Sequence, residues 1–161
     1  METRCDLVER FWRGPIVDVG IGSGAFLVAR SKMAAGAAHD CGYDINVAGR
    51  LWLQDHGCYR NPYTYEFVDA VTMWDVLEHI EDFGPLLNNV RQWVFLSLPI
   101  FRDQEHTLRS KHFRPDEHYW YFTAPGLQHV MGLHGFELKH SDDRESRRGR
   151  EDILSFVFRR R

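Results

Sequence analysis

Short continuous apolar runs alternate along the chain with segments whose apolar residues recur every three or four positions. This alternation predicts strands and helices in turn, and hence an α/β sheet. Residues 5–13 place Leu7, Val8, Phe11 and Trp12 on one helical face. A strand is expected over about 15–20 and a helix over about 24–35. The run at about 39–43 reads as a second strand leading to Asp44, and the next helix is expected to turn Val47, Leu51 and Trp52 inward. Residues 67–74 read as a buried central strand, followed by a helix at about 83–92 and an apolar strand at 93–99.

The C-terminal part begins with a helix over 123–135. Thr123 can cap it, Pro125 suits its first turn, Leu127, Val130 and Met131 share a face, and Gly135 can end it. Residues 136–139 and 153–158 then read as two strands, with a charged turn or loop over 141–152. The stretch 57–66 is less orderly: Gly57 and Pro62 leave room for a short strand at best.

A length of 161 residues suits one domain covering 1–161, and 43% apolar with 27% charged residues suits a folded globule. The net charge of −3 gives no blanket attraction to nucleic acid. It divides unevenly, −5 over residues 1–101 and +2 over 102–161, so the second part either meets an anionic substrate or is a solvated mixed surface. The arginines at 159–161 read as a frayed tail. Cys5, Cys41 and Cys58 are odd in number, widely spaced and outside any zinc pattern, which predicts free thiols in a reducing compartment. With no run long enough for a membrane span and no signal-peptide pattern, a cytoplasmic enzyme is expected.

Candidate chemistry concentrates first at residues 16–25, where a strand-like run with Asp18 near its end meets Gly20, Gly22 and Gly24. Glycines there let the backbone turn sharply, so that a ligand can lie against the main chain before a helix begins. The spacing Gly20-x-Gly22-x-x-Ala25 also fits the dinucleotide-binding fingerprint. Asp18 argues against that reading, because a carboxylate is poorly placed beside a pyrophosphate and well placed beside a cation.

Asp18-x-Gly20-x-Gly22-x-Gly24 resembles the first motif of the class I S-adenosylmethionine-dependent methyltransferases. In that family the loop wraps the amino-acid end of the cofactor, with the acid near its ammonium group. Asp44 lies at the end of the second strand, as in the second motif, where an acid accepts both ribose hydroxyls; as a residue type it also suits a helix N-cap. Asp75-Val-Leu-Glu-His79 is similar to the fourth motif. The resemblance implies S-adenosylmethionine as cofactor, bound by Asp18, Gly20, Gly22, Gly24, Asp44 and Asp75. It also implies a Rossmann-like, doubly wound, mostly parallel seven-stranded sheet closed by a C-terminal antiparallel hairpin. It extends over nearly the whole chain and is weakest at 57–66 and 100–118; the Lys-Pro-Gly-Gly turn of many relatives is missing before residue 93. No counterpart of the family's adenine-binding polar residue stands out, although Asn61, Tyr63 or Tyr65 can contact a flat ring or simply pack.

Methyl transfer from a sulfonium needs the acceptor held on the axis opposite sulfur and water kept out. His79 is the candidate catalytic base, or else a residue that shapes the site by hydrogen bonding. Residues 100–122 form a candidate substrate loop with His112, His118 and Tyr119 as lining residues, although 119–122 can equally pack the next helix. The principal reading is transfer to an O, N or C atom of a small molecule by a monomer or homodimer, without a metal. An alternative sets Asp75, Glu78 and His79 on one side of a helical turn, with His118 or His112 folding over them as a Mg or Mn site. That arrangement is similar to the small-RNA 3′-terminal 2′-O-methyltransferases, which carry a longer carboxylate where this chain has Asp75. Another alternative is a cofactor-binding or accessory subunit of methyltransferase fold that works through a partner.

Overall fold

Four parallel strands and an antiparallel pair build one six-stranded sheet in the computed structural model, which describes residues 1–33, 37, 39–64 and 66–161. The elements run α1 (Glu2–Phe11), β1 (Val17–Val19), α2 (Ala25–Met33), β2 (Cys41–Tyr43), α3 (Val47–Asp55), β3 (Val68–Trp74) and a 3-10 turn (Leu77–His79). They continue with α4 (Gly84–Asn88), β4 (Val90–Pro99), α5 (Gln104–Arg109), α6 (Ala124–Leu133), β5 (Phe136–Asp142), α7 (Arg144–Arg147) and β6 (Ile153–Arg160). The strand order is β2-β1-β3-β4-β6-β5; β1 to β4 are parallel, and β6 is antiparallel to both of its neighbours. After β1 the chain moves outward to β2, then returns to the other side of β1 as β3. Open α/β sheets bind ligands at the carboxyl ends of the strands beside such a reversal.

Side chains alternate across β1 and β3 to feed two cores. Val17, Val19, Val71 and Met73 pack with Leu86, Leu87, Leu127 and Met131, under α4 and α6. Ile16, Ala70 and Trp74 pack with Leu7, Val8, Phe26, Leu27 and Leu53, under α1, α2 and α3. Burial on both faces explains why β3 carries a nearly continuous apolar run. Thr123 caps α6 as expected, its hydroxyl accepting from Gly126 N at 3.1 Å.

Six strands, not seven, are present among the described residues. In the 57–66 stretch, which leaves room for a short strand at best, Tyr59 makes an isolated parallel bridge to Gly42. Gly42 N donates to Cys58 O and Arg60 N to Gly42 O, and pairing ends there. Pro62 has no N–H to extend a ladder, and Tyr63 N is taken by the Asn61 side chain at 2.9 Å. Tyr65 lies outside the described residues.

Three boundaries also differ from expectation. Helix α4 stops at Asn88 and β4 begins at Val90, where the Asn89 carbonyl accepts from Val68 N on β3 and the Asn89 side-chain amide donates to the carbonyls of Pro62 and Thr64. Arg160 on β6 satisfies the freed carbonyls, donating to Leu87 O and Val90 O. Helix α3 starts from Asn46, whose side chain caps Ala48 N, so its buried face is Gly49 and Leu53 while Val47 and Leu51 are exposed. The expected loop over 100–122 is a closed excursion: it contains α5, and its ends meet where Phe101 N donates to Phe122 O at 2.8 Å. The three cysteines are free thiols, and no described helix is long and apolar enough to cross a membrane.

Candidate functional site

The glycine loop hangs from the end of β2. Gly20 N donates to Tyr43 O at 2.7 Å, and Gly22 N donates to Asp44 Oδ2 at 3.2 Å. Gly20, Gly22 and Gly24 have φ of +73°, +55° and +73°, the left-handed region that glycine enters without strain. A Cβ on Gly20 would lie 2.5 Å from Val76 Cγ2, and one on Gly24 would touch the Trp52 ring. No described residue lies within 4 Å of the Cβ position at Gly22, so the loop presents bare backbone there. Asp44 is buried, and its second oxygen accepts from Asn46 N at 2.8 Å. It therefore joins the loop to the start of α3, and the N-cap itself is Asn46.

Asp18 lies beneath the loop and is almost fully buried. It pairs with Thr72 in the β1–β3 register, and the Thr72 hydroxyl donates to Asp18 Oδ1 at 2.6 Å. Burial pushes the Asp18 carboxyl up to about 7, against the opposing effects of that hydrogen bond and the Arg4 charge.

Asp75 follows β3 with φ of +60°, a conformation that aspartate tolerates better than most residues. Its N–H donates to Ser97 O, and its carboxylate receives Arg4 and Arg150, each at 2.9 Å. Arg4 also makes a two-pronged bond to Glu145, its Nε and Nη2 each 2.9 Å from a carboxylate oxygen, while Arg150 pairs with Glu145 as well. Burial acts to raise Glu145, but the bonds and charges of the two arginines outweigh it and hold the carboxyl below its ordinary value. Thus α1 and α7 are tied over the end of β3.

The 3-10 turn brings Glu78 and His79 against His118, with ligand atoms of all three within 4.8 Å of one another. The two imidazoles meet edge to face at 4.5 Å. Tyr119 N donates to Glu78 O at 2.9 Å, which holds the 100–122 segment over the turn. Burial pushes the Glu78 carboxyl up to about 8, with the Asp75 charge adding to the rise. Burial and then the His79 charge push His118 below the usual histidine range. Among the described residues, Glu78 Oε2 and His118 Nδ1 are buried without a hydrogen-bond partner. His79 Nδ1 lies 2.9 Å from Glu117 O. A carbonyl only accepts, so Nδ1 carries a proton, and in the neutral ring Nε2 is the nitrogen with the lone pair.

Other candidate residues are placed differently. His112 turns to Glu151 O at 2.9 Å and is outside the Glu78, His79 and His118 group. The Tyr119 side chain is exposed. Tyr63 packs on Tyr43 at 5.4 Å, and burial pushes its hydroxyl up to about 12. Sequence reasoning missed Thr72, Arg4, Glu145 and Arg150. Thr72 had a signal, a lone hydroxyl in an apolar strand facing Asp18; the other three join the site only through tertiary folding.

Comparison with known proteins places this geometry in a family. A family model described as a methyltransferase domain matches residues 2–141. No curated protein sequence matches the chain. Among solved structures, it is similar to magnesium protoporphyrin IX methyltransferase from Synechocystis PCC 6803 with bound SAH, with a TM-score of 0.62 and 14% identity, covering 99% of this chain and 81% of that one. A Haloferax volcanii complex of the Trm112 methyltransferase activator and a putative methyltransferase gives a TM-score of 0.70 at 13% identity, over 92% and 82% of the two chains. The small RNA methyltransferase HEN1 gives 0.66 at 18% identity, over 99% of this chain and 24% of that one. With its glycine loop at the strand-order reversal and a family match over residues 2–141, the chain belongs to the class I S-adenosylmethionine-dependent methyltransferases.

Proposed function

We propose that this chain transfers a methyl group from S-adenosylmethionine to a small-molecule acceptor. The observation that carries the reading is the suspension of the glycine loop from β2 through Tyr43 O and Asp44, above buried Asp18. The residues present fit the cofactor. Gly20, Gly22 and Gly24 would offer backbone to its amino-acid end, buried Asp18 beneath the loop would supply the acid toward the ammonium, and Asp44 would accept from the ribose hydroxyls. When bound, S-adenosylmethionine supplies an electrophilic methyl group on a sulfonium sulfur.

The protein's own part is to hold the acceptor, exclude water and receive a proton. His79 is exposed at the turn after β3, and its Nε2 lone pair is available to take that proton. The chain's net charge of −3 favours a small acceptor over a nucleic-acid polyanion. Incubating the protein and methyl-tritiated S-adenosylmethionine with a cell extract tests the reading. Label in the low-mass fraction is expected, and label only in RNA or protein would refute it.

A second reading is favoured by one observation. Glu78 Oε2 and His118 Nδ1 are buried without partners and converge with His79, a carboxylate and two imidazoles suited to a divalent transition metal such as manganese. Asp75 is held away from that set by Arg4 and Arg150. In this reading a chelator abolishes transfer, manganese restores it, and a ribose diol is the acceptor. Full activity in excess chelator sinks it.

A further inference from the structure

Helices α1 and α7 enclose a cavity of about 410 Å³ over the end of β3, lined by Thr3, Arg4, Asp75, Glu145, Arg148 and Arg150 among others. That volume is within the range of small-molecule sites. Its floor adjoins the glycine loop, because Asp75 precedes Val76, whose side chain lies against Gly20. Three guanidinium groups face two carboxylates. Arg4 and Arg150 each bond both Asp75 and Glu145, so both acids are already engaged.

Arg148 differs from its neighbours. Arg144 pairs with Asp142, Arg147 with Asp143, and Arg150 with Asp75 and Glu145. Among the described residues Arg148 has no carboxylate partner, and its Nη1 donates to the Thr3 hydroxyl. The layering is equally uneven: the Arg150 side chain is 42% exposed and Asp75 30%, whereas Arg4 is 12% and Glu145 only 8% exposed. An entering molecule therefore meets Arg150 ahead of Asp75, with Arg4 and Glu145 beneath, and both acids are already bonded.

We infer that this cavity binds an oxyanion, a carboxylate or phosphate carried by the methyl acceptor, through Arg148 and Arg150. The inference rests on the proposed methyl transfer and names the acceptor class. A planar guanidinium can offer two parallel N–H bonds to such a group, a geometry that an alcohol cannot match.

The test uses the full chain labelled with 15N-arginine, observed by NMR at low salt with S-adenosylhomocysteine added. Phenyl phosphate, benzoate and benzyl alcohol are titrated as probes. Saturable shifts of the Arg148 and Arg150 Nε resonances are expected with an anionic probe, and none with benzyl alcohol. Tighter binding of phenyl phosphate assigns a phosphorylated acceptor; tighter binding of benzoate assigns a carboxylated one. R148Q should weaken anion binding about fivefold or more, while R147Q, at a paired and exposed position, should leave it unchanged. Equal binding of benzyl alcohol, or unaltered anion binding by R148Q, would overturn the inference. S-adenosylhomocysteine binding is read separately by calorimetry: its failure strikes the proposed function, whereas the R148Q comparison alone decides the oxyanion site.

Discussion

Asp18 and Thr72 stand opposite each other in the β1–β3 register, and the Thr72 hydroxyl holds Asp18 Oδ1 at 2.6 Å inside the core. The hydroxyl satisfies a carboxyl that has almost no contact with water. T72V keeps the shape and removes the donor, so it should destabilise the protein by about 1–3 kcal/mol in urea unfolding. T72S should restore most of the loss. An unchanged midpoint in T72V would show that this bond contributes little.

The same pair gives a pH signature. Asp18 is pushed up to about 7, above the ordinary aspartate value of 3.8 that it regains on unfolding. The folded state therefore holds a proton that the unfolded state has released, and the contribution to stability falls as pH rises from the unfolded value through the folded one. Between about pH 5 and 8, unfolding midpoints of the wild type should fall relative to those of D18N. Glu78, pushed up to about 8, acts in the same direction, so E78Q should also flatten the profile. Parallel profiles for wild type and variants would contradict this account.

Gly20 and Gly22 separate steric from conformational effects. Both have positive φ, but only a Cβ at Gly20 meets a neighbour, Val76 Cγ2 at 2.5 Å. G22A should cost about 1–2 kcal/mol for the left-handed backbone alone. G20A should cost more and displace the turn after β3. Thermal melts of the two variants provide the comparison, and equal losses would argue against the contact.

His79 is assigned as proton acceptor by its free Nε2. H79N retains a donor toward Glu117 O but offers no basic nitrogen, so kcat should fall about a hundredfold or more for a hydroxyl acceptor, with little change in KM. A loss confined to KM would make His79 a positioning residue.

The glycine loop of the candidate site is legible because it is local: one strand and one tight turn before a helix carry Asp18, Gly20, Gly22 and Gly24 within seven residues. Asp44 was legible as the end of the adjacent strand. Its helix turns Trp52 toward the core as expected but not Val47 or Leu51, since Asn46 takes the cap and sets Gly49 and Leu53 inward. The Asp75 environment was not legible. Arg4 and Glu145 reach it from opposite ends of the chain, and no periodicity links residues separated by 71 or 141 positions. The convergence of His118 on Glu78 was only one option among two histidines. It is decided by Tyr119 N bonding Glu78 O, while His112 turns to Glu151 O.

The central claim is that Asp44 and the glycine loop hold the methyl donor, and calorimetric titration of S-adenosylhomocysteine into the wild type and D44N tests it most directly. One molecule should bind per wild-type chain, and D44N should weaken binding by about tenfold or more, the value of a charge-assisted hydrogen bond to the ribose. No binding to the folded wild-type chain, or equal affinity in D44N, would contradict it.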